Sequence, residues 1–187
     1  LRVRFVFSIP EYYRPDYGKM LAASDIASLW WCGATNKVPQ SRAIPTTSGK
    51  AARMAAARND FEAVQVVVRP KKNLTALRAN ISAFQQVNGE GVIGNDKIQI
   101  LRAYYHFVDH STDATGVRDY WPDALPPLDE PLDIEAGKNQ PIWVLVHVTD
   151  DVKAGDYQAT LSLTADGFAA DVPIQLHVWN FTLPQKH

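Results

Sequence analysis

The chain has 187 residues, of which 46% are hydrophobic, 21% charged and 10% aromatic. That composition excludes a disordered segment or a collagen-like fibre and suits one main domain with its own core. A formal net charge of −1 and an isoelectric point near 6.6 argue against nucleic acid as a partner and against a polybasic membrane anchor. The single cysteine, Cys32, rules out an intramolecular disulfide and a cysteine-built zinc cluster. No apolar run approaches the ~20 residues of a membrane-spanning segment.

In chain order, residues 2–9 alternate, with Val3, Phe5, Phe7 and Ile9 on one face, and predict a strand. The chain starts at Leu1 without the long apolar core of a signal peptide, so it reads as processed, trimmed or cut from a larger product. Residues 12–20 predict a loop. Residues 24–31 are ambiguous, because Ser24 and Asp25 suit the N-terminus of a short helix. Pro39, Pro45 and a Thr/Ser cluster make residues 37–49 a loop. Alanine-rich residues 50–58 have high helix propensity, yet a strand is preferred over residues 51–57. The next run, residues 61–69, is a clear strand with Val64, Val66 and Val68 on one face. Asn59 and Asp60 form a turn pair between the two, predicting a hairpin or a strand that crosses to another sheet.

Leu77, Ala79, Ile81 and Ala83 line one face of the next predicted strand, and residues 87–96 are turn-rich. Residues 98–107 predict a further strand. Residues 110–140, rich in Pro and Asp, are expected to be largely irregular. Ile142, Val144, Val146 and Val148 share a face, with Trp143 opposite. Residues 156–164 alternate strictly, with Tyr157, Ala159, Leu161 and Leu163 inward. Asp166-Gly167 is a hairpin signal. The return strand places Val172, Ile174, Leu176 and Val178 on one face, and Pro173 points to an edge or to the start of pairing. Many short strands without a sustained helical period predict an all-β antiparallel sandwich, immunoglobulin-like or jelly-roll-like, with at most one or two short helices. The expected organisation is an N-terminal strand and connecting segment over 1–28, the sandwich over 29–184, and the start of a linker at 185–187.

Catalytic motifs are scarce. There is no Gly-x-Ser-x-Gly elbow, P-loop or His-Glu-x-x-His. His106 and His110 lie four apart, a metal-compatible spacing on a helix but not beside a strand end. Asp129/Glu130 and Asp150/Asp151 are sequence neighbours in turns, not carboxylates facing each other across a sugar. Neither a catalytic residue, a metal nor a cofactor is therefore expected. The most plausible functional surface runs from Tyr104 to Asp123. Tyr105, His106, Asp109, His110, Tyr120, Trp121 and Asp123 combine aromatic faces with polar groups on a long loop, as sugar binding requires. Capping of the core and packing against another domain remain open alternatives. Of the pair Trp30-Trp31, one ring must face outward in a strand, as a covered surface or a binding platform. The sequons at Asn73, Asn80 and Asn180 are treated as chance.

Six stretches occur in a telling order: WWCGATNKV at 30–38, AARNDFEAVQVVVRP at 56–70, WPDALPPL at 121–128, NQPIWVLVHV at 139–148, AGDYQATLSL at 154–163 and VPIQLHVWNFTLP at 172–184. As a set they resemble the N-terminal β-sandwich domain of glycoside hydrolase family 123-like proteins, including uncharacterised bacterial relatives, over residues 29–184. The resemblance implies a modular enzyme in which the sandwich precedes a (β/α)-barrel. That barrel carries an Asp-Glu pair for substrate-assisted hydrolysis of β-linked N-acetylgalactosamine. This sequence offers no positions for that pair. The family's Arg, Asn and Glu fall on Arg58, Asn59 and Glu62, which read as a structural polar network at a turn. Expected partners are a downstream barrel of the same polypeptide and, as an alternative, glycans. The expected location is periplasmic or extracellular in a bacterium. Three functions compete: an accessory module of a glycoside hydrolase, an independent carbohydrate-binding module, and an extracellular interaction domain.

Overall fold

The computed structural model describes residues 14–110 and 117–185. The predicted strand of residues 2–9 lies outside them. The described chain is almost entirely β, its one helical turn a 3-10 turn at Asn95–Lys97.

Two sheets form the sandwich. The first contains β1 (Lys19–Ala23), β2 (Ala27–Gly33), β4 (Asp60–Pro70), β12 (Gln140–Val148) and β8 (Ile98–Arg102), in the order β1-β2-β4-β12-β8. The second runs β11 (Leu132–Ile134), β5 (Leu74–Ile81), β13 (Gly155–Ala165), β14 (Phe168–Thr182), β3 (Ala52–Arg58), with β6 (Phe84–Gln86) and β7 (Val92–Ile93) attached beside β13. A separate hairpin joins β9 (Tyr104–Val108) to β10 (Asp119–Ala124). Among the described strands all pairings are antiparallel except β14 with β3, which is parallel, and a single parallel bridge joins Met20 to Ser48.

The alternating valines explain the core. Val64, Val66 and Val68 of β4 and Ile142, Val144, Val146 and Val148 of β12 face the second sheet. Tyr157, Leu161 and Leu163 of β13 and Ile174, Leu176 and Val178 of β14 meet them, all nearly fully buried. Each fully buried side chain of this size contributes about 1.5–3 kcal/mol.

Residues 63–68 of β4 are buried on both faces. The outer face is covered by residues 34–49, and Val67 packs there with Trp30, Cys32 and Val38. Gln65 is the polar residue in this run. Its amide donates to the carbonyls of Gly33 (3.0 Å) and Asn36 (2.7 Å), which fastens the covering loop to the sheet. Gln65→Leu keeps the volume but strands those acceptors. It is expected to cost about 2–3 kcal/mol in urea denaturation, against well under 1 kcal/mol for a change at exposed Gln85.

Several expectations need correction. Ser24 does not start a helix. Its hydroxyl accepts from the backbone N–H groups of Ile26 and Ala27 (both 3.1 Å), closing the turn between β1 and β2. The same capping chemistry serves a strand turn, because residues 27–33 pair along β4. The strand predicted over 98–107 breaks at Ala103, whose N–H goes to Pro141 O and whose carbonyl accepts from Gln140 Nε2. β9 thus leaves the first sheet. The segment 110–140 is not simply irregular, since β10 and β11 lie within it. In β5, Ala76 adopts a left-handed φ of 57°, which breaks alternation and turns both Leu74 and Leu77 inward. Ala83 lies beyond the strand, and Phe84 fills the core instead.

Other expectations hold. Residues 52–58 form a strand despite their alanines. The turn at Asn59 carries the chain from one sheet to the other. Gly167 takes a left-handed φ of 70° in the predicted hairpin. Pro173 is not at an edge, since β14 is interior and Pro173 lies opposite Thr160 of β13, but it stands one residue before pairing with β3 begins at Ile174↔Ala52, as the alternative reading expects.

Candidate functional site

The β9–β10 hairpin gathers most of the expected site residues and divides them between its two faces. Tyr120 lies opposite Phe107, and Trp121 opposite His106. Tyr104 stacks edge-on with His106 at 5.0 Å on one face, and Phe107 meets Tyr120 at 5.1 Å on the other. Tyr104, Phe107 and Tyr120 are each nearly half exposed.

Hydrogen bonds moor the hairpin to the loop over the first sheet. The Tyr105 hydroxyl donates to Val38 O at 2.8 Å, Gln40 N–H to Tyr120 O at 3.1 Å, and Ser41 Oγ to an Asp119 carboxylate oxygen. Burial pushes the Tyr105 hydroxyl well above its ordinary pKa of 10.0. Tyr105 is therefore a mooring residue, not a free contact. Trp121 Nε1 donates to Val117 O at 2.8 Å. At the hairpin tip Asp109 pairs with Arg118 (2.5 Å) and lies 3.2 Å from His110. Asp123 stands exposed at the far end of β10. His106 and His110 do not converge on a common point: His106 contacts the Tyr104 ring and His110 faces Asp109.

Trp31 is not part of this cluster. It packs against the sandwich core, while Trp30 is fully buried beneath the covering loop. The chain itself covers the Trp30 ring fully and the Trp31 ring in part. Gly89, Gly91 and Gly94 reproduce the Gly-x-Gly-x-x-Gly spacing of a dinucleotide-binding loop. They connect β6, β7 and a 3-10 turn, and no α-helix N-terminus follows to receive phosphates.

Arg58 and Asn59 sit where β3 crosses into β4. Asn59 has a left-handed φ of 59°, and its amide donates to Leu183 O at 3.0 Å. Leu183 N–H returns to Arg58 O at 2.9 Å, and Arg58 reaches Asn180 Oδ1 at 3.5 Å. Glu62 bonds the adjacent backbone N–H of Ala63, apart from that pair. Asn59→Ala removes the amide and strains the backbone. It is expected to lose about 1–2 kcal/mol, whereas Asn59→Gly keeps the φ and loses about half as much. Thermal denaturation of the two variants would check the order.

This architecture can be compared with known proteins. The Glycoside hydrolase 123 N-terminal domain profile matches residues 36–165, well over half of the sequence. The chain belongs to that family. A family 123 glycoside hydrolase from Clostridium perfringens, studied for glycolipid glycan hydrolysis, is similar in structure to this family 123 N-terminal domain. The TM-score is 0.62 at 19% identity, covering 71% of this chain and 23% of that enzyme. The domain thus spans about a quarter of that enzyme's length, and the likeness shows a shared fold. Weaker likenesses include the CooA pilin subunit of enterotoxigenic Escherichia coli (TM-score 0.40, 11% identity, 85% of this chain and 99% of that one). The CaDoc0917(R16D)-CaCohA2 complex gives a TM-score of 0.31 at 12% identity, with 68% and 96% coverage. No curated protein sequence matches.

Proposed function

We propose that this domain is the non-catalytic β-sandwich module of a bacterial, extracytoplasmic glycoside hydrolase of β-N-acetylgalactosaminidase type. In this reading it supports a (β/α)-barrel in the same polypeptide. Its place in the family supports the module, and the distribution of polar groups supports the lack of catalysis. The buried polar residues among those described are Ser28, Arg42, Gln65, Asn139 and Gln140, with no carboxylate among them. Gln65, Asn139 and Gln140 spend their amides on backbone carbonyls. A glycosidase acid needs a carboxyl group shielded from water and paired across the scissile bond. The chain tested alone on an aryl N-acetyl-β-galactosaminide should show no turnover, and the longer natural polypeptide should hydrolyse it. Turnover by the purified fragment would overturn the assignment.

A second reading, carbohydrate binding by the module itself, is favoured by the exposed rings of the hairpin. Tyr120 has Lys138 Nζ 6.0 Å above its ring, and Phe107 has Arg118 at 5.2 Å. Rings for the apolar sugar faces and charged groups for hydroxyls stand side by side. Titration with N-acetylgalactosamine-containing oligosaccharides up to about 10 mM would register even affinities near −4 kcal/mol. A null titration there removes this reading and leaves the first intact.

A further inference from the structure

We propose that the end of the sandwich where β14 leaves it, presenting Trp179 and Phe181, is the seat of the domain that follows in the polypeptide. This rests on the reading of the chain as a module of a longer hydrolase.

β14 outruns its neighbour. Its pairing with β13 ends at Gly155↔Val178. Against β3 the register jumps from Val178↔Ala56 to Thr182↔Arg58, so the stretch between them bulges away from the sheet. All of residues 179–182 are exposed, in contrast to the strict alternation before them. Trp179 is 49% exposed and Phe181 53%. Phe61, 61% exposed, belongs to β4 of the other sheet, where it stacks on His147 at 4.2 Å. A projecting strand that carries large rings is an association hazard unless something covers it.

The exit is also held in place. The bonds of Asn59 and Arg58 to Leu183 fix the segment just after β14 against the β3–β4 crossing. A domain attached beyond Pro184 therefore starts from a fixed point within a few residues of Trp179 and Phe181. Such a short tether gives a high effective concentration at this patch. The related hydrolase extends far beyond the part this chain matches, so a sizeable neighbour is available in that architecture. The two surfaces differ in chemistry. The hairpin rings are flanked by Arg118, Lys138 and Asp109, while Trp179 lies at 4.3 Å against His177, whose own ring nitrogen meets Asp156 at 2.6 Å. The exit patch thus offers two large rings on a projecting strand with polar groups at their margin, and suits a protein face.

The test uses the full-length natural polypeptide. Trp179→Ser/Phe181→Ser is compared with Phe107→Ser/Tyr120→Ser on the hairpin. The exit pair is expected to split one thermal transition into two, to expand the particle in small-angle X-ray scattering, and to speed tryptic cleavage after Lys186 by about ten-fold or more. The hairpin pair should leave all three unchanged. Trp179→Gln alone, a milder change, should shift each readout part of the way. Unaltered coupling in the exit variants, uncoupling by the hairpin pair instead, or protection of Trp179 fluorescence by N-acetylgalactosamine oligosaccharides would each overturn the proposal. Activity separates it from the reading beneath it. Hydrolysis without coupling overturns the docking alone, and coupling without hydrolysis overturns the hydrolase assignment alone.

Discussion

Trp30→Ala is expected to destabilise the domain by about 3–5 kcal/mol, the range for removing a buried aromatic side chain. Trp30 is 0% exposed and packs with Cys32, Val38 and Val67, while Tyr17, Met20 and Ile44 close the cluster. The hole cannot collapse easily. β2 is hydrogen-bonded to β1 on one side (Met20↔Trp30) and to β4 on the other (Trp30↔Val67), so its backbone is fixed. The covering loop would lose its main anchor, and the β9–β10 hairpin is moored to that loop through Val38, Gln40 and Ser41. Urea denaturation should give the loss, and limited proteolysis within residues 37–49 should speed up. Trp30→Phe should cost less than half as much. An exposed-site control, Trp179→Ala in the same chain, should stay within about 0.5 kcal/mol.

Alkaline pH should unfold the domain through the same cluster. Burial pushes the Cys32 thiol up to about 12 from an ordinary 9.0, with Arg42 opposing only in part. Burial likewise raises the hydroxyls of Tyr17 and Tyr105 above their ordinary 10.0. In the unfolded chain all three ionise at their ordinary values, so above pH 9 the unfolded state holds fewer protons than the folded one. Stability is therefore complete below about pH 9 and falls as pH rises toward 12, by about 1.4 kcal/mol per pH unit for each group past its unfolded pKa. The slope should be shallow from 9 to 10, where Cys32 alone contributes, and about three- to four-fold steeper above 10, where Tyr17, Tyr105 and Tyr157, its hydroxyl also raised by burial, join it. Cys32→Ala should remove the first step and leave the second. Urea midpoints measured from pH 8 to about pH 11 would reveal the profile. A flat profile would mean that these groups are not shielded as the structure places them.

Much of the fold was legible because strands write themselves at period two. The faces of β12, β13 and β14 follow directly from Ile142–Val148, Tyr157–Leu163 and Val172–Val178 alternation. The alanine-rich β3 was legible for a different reason: its neighbour β4 was clearly extended, and Asn59 marked the turn between them. The breaks were not legible. Ala103 ends β8 because Pro141 and Gln140, nearly forty residues on, take its backbone groups. Ala76 bulges β5 with its N–H held by Asp133 Oδ1 at 2.9 Å. Such partners are invisible to any local pattern. Most of the expected site residues, Trp31 excepted, lie in one hairpin, yet their roles were not readable. Composition marks an aromatic segment, but only the register separates the Tyr120 face from the Trp121 face and shows Tyr105 spending its hydroxyl on Val38.

By itself, the sequence determined an all-β sandwich of the family 123 type, with its inward faces chosen, because side-chain direction in a strand alternates with residue number. Only the tertiary structure decided that β14 runs parallel to β3 at one edge, that residues 34–49 bury the outer face of β2, and that Trp179 and Phe181 stay in the open. Those outcomes depend on which distant strand supplies the missing hydrogen bonds and where a neighbouring strand stops. That is a property of the closed assembly, in which each backbone group must find a partner, and no single stretch of chain encodes it.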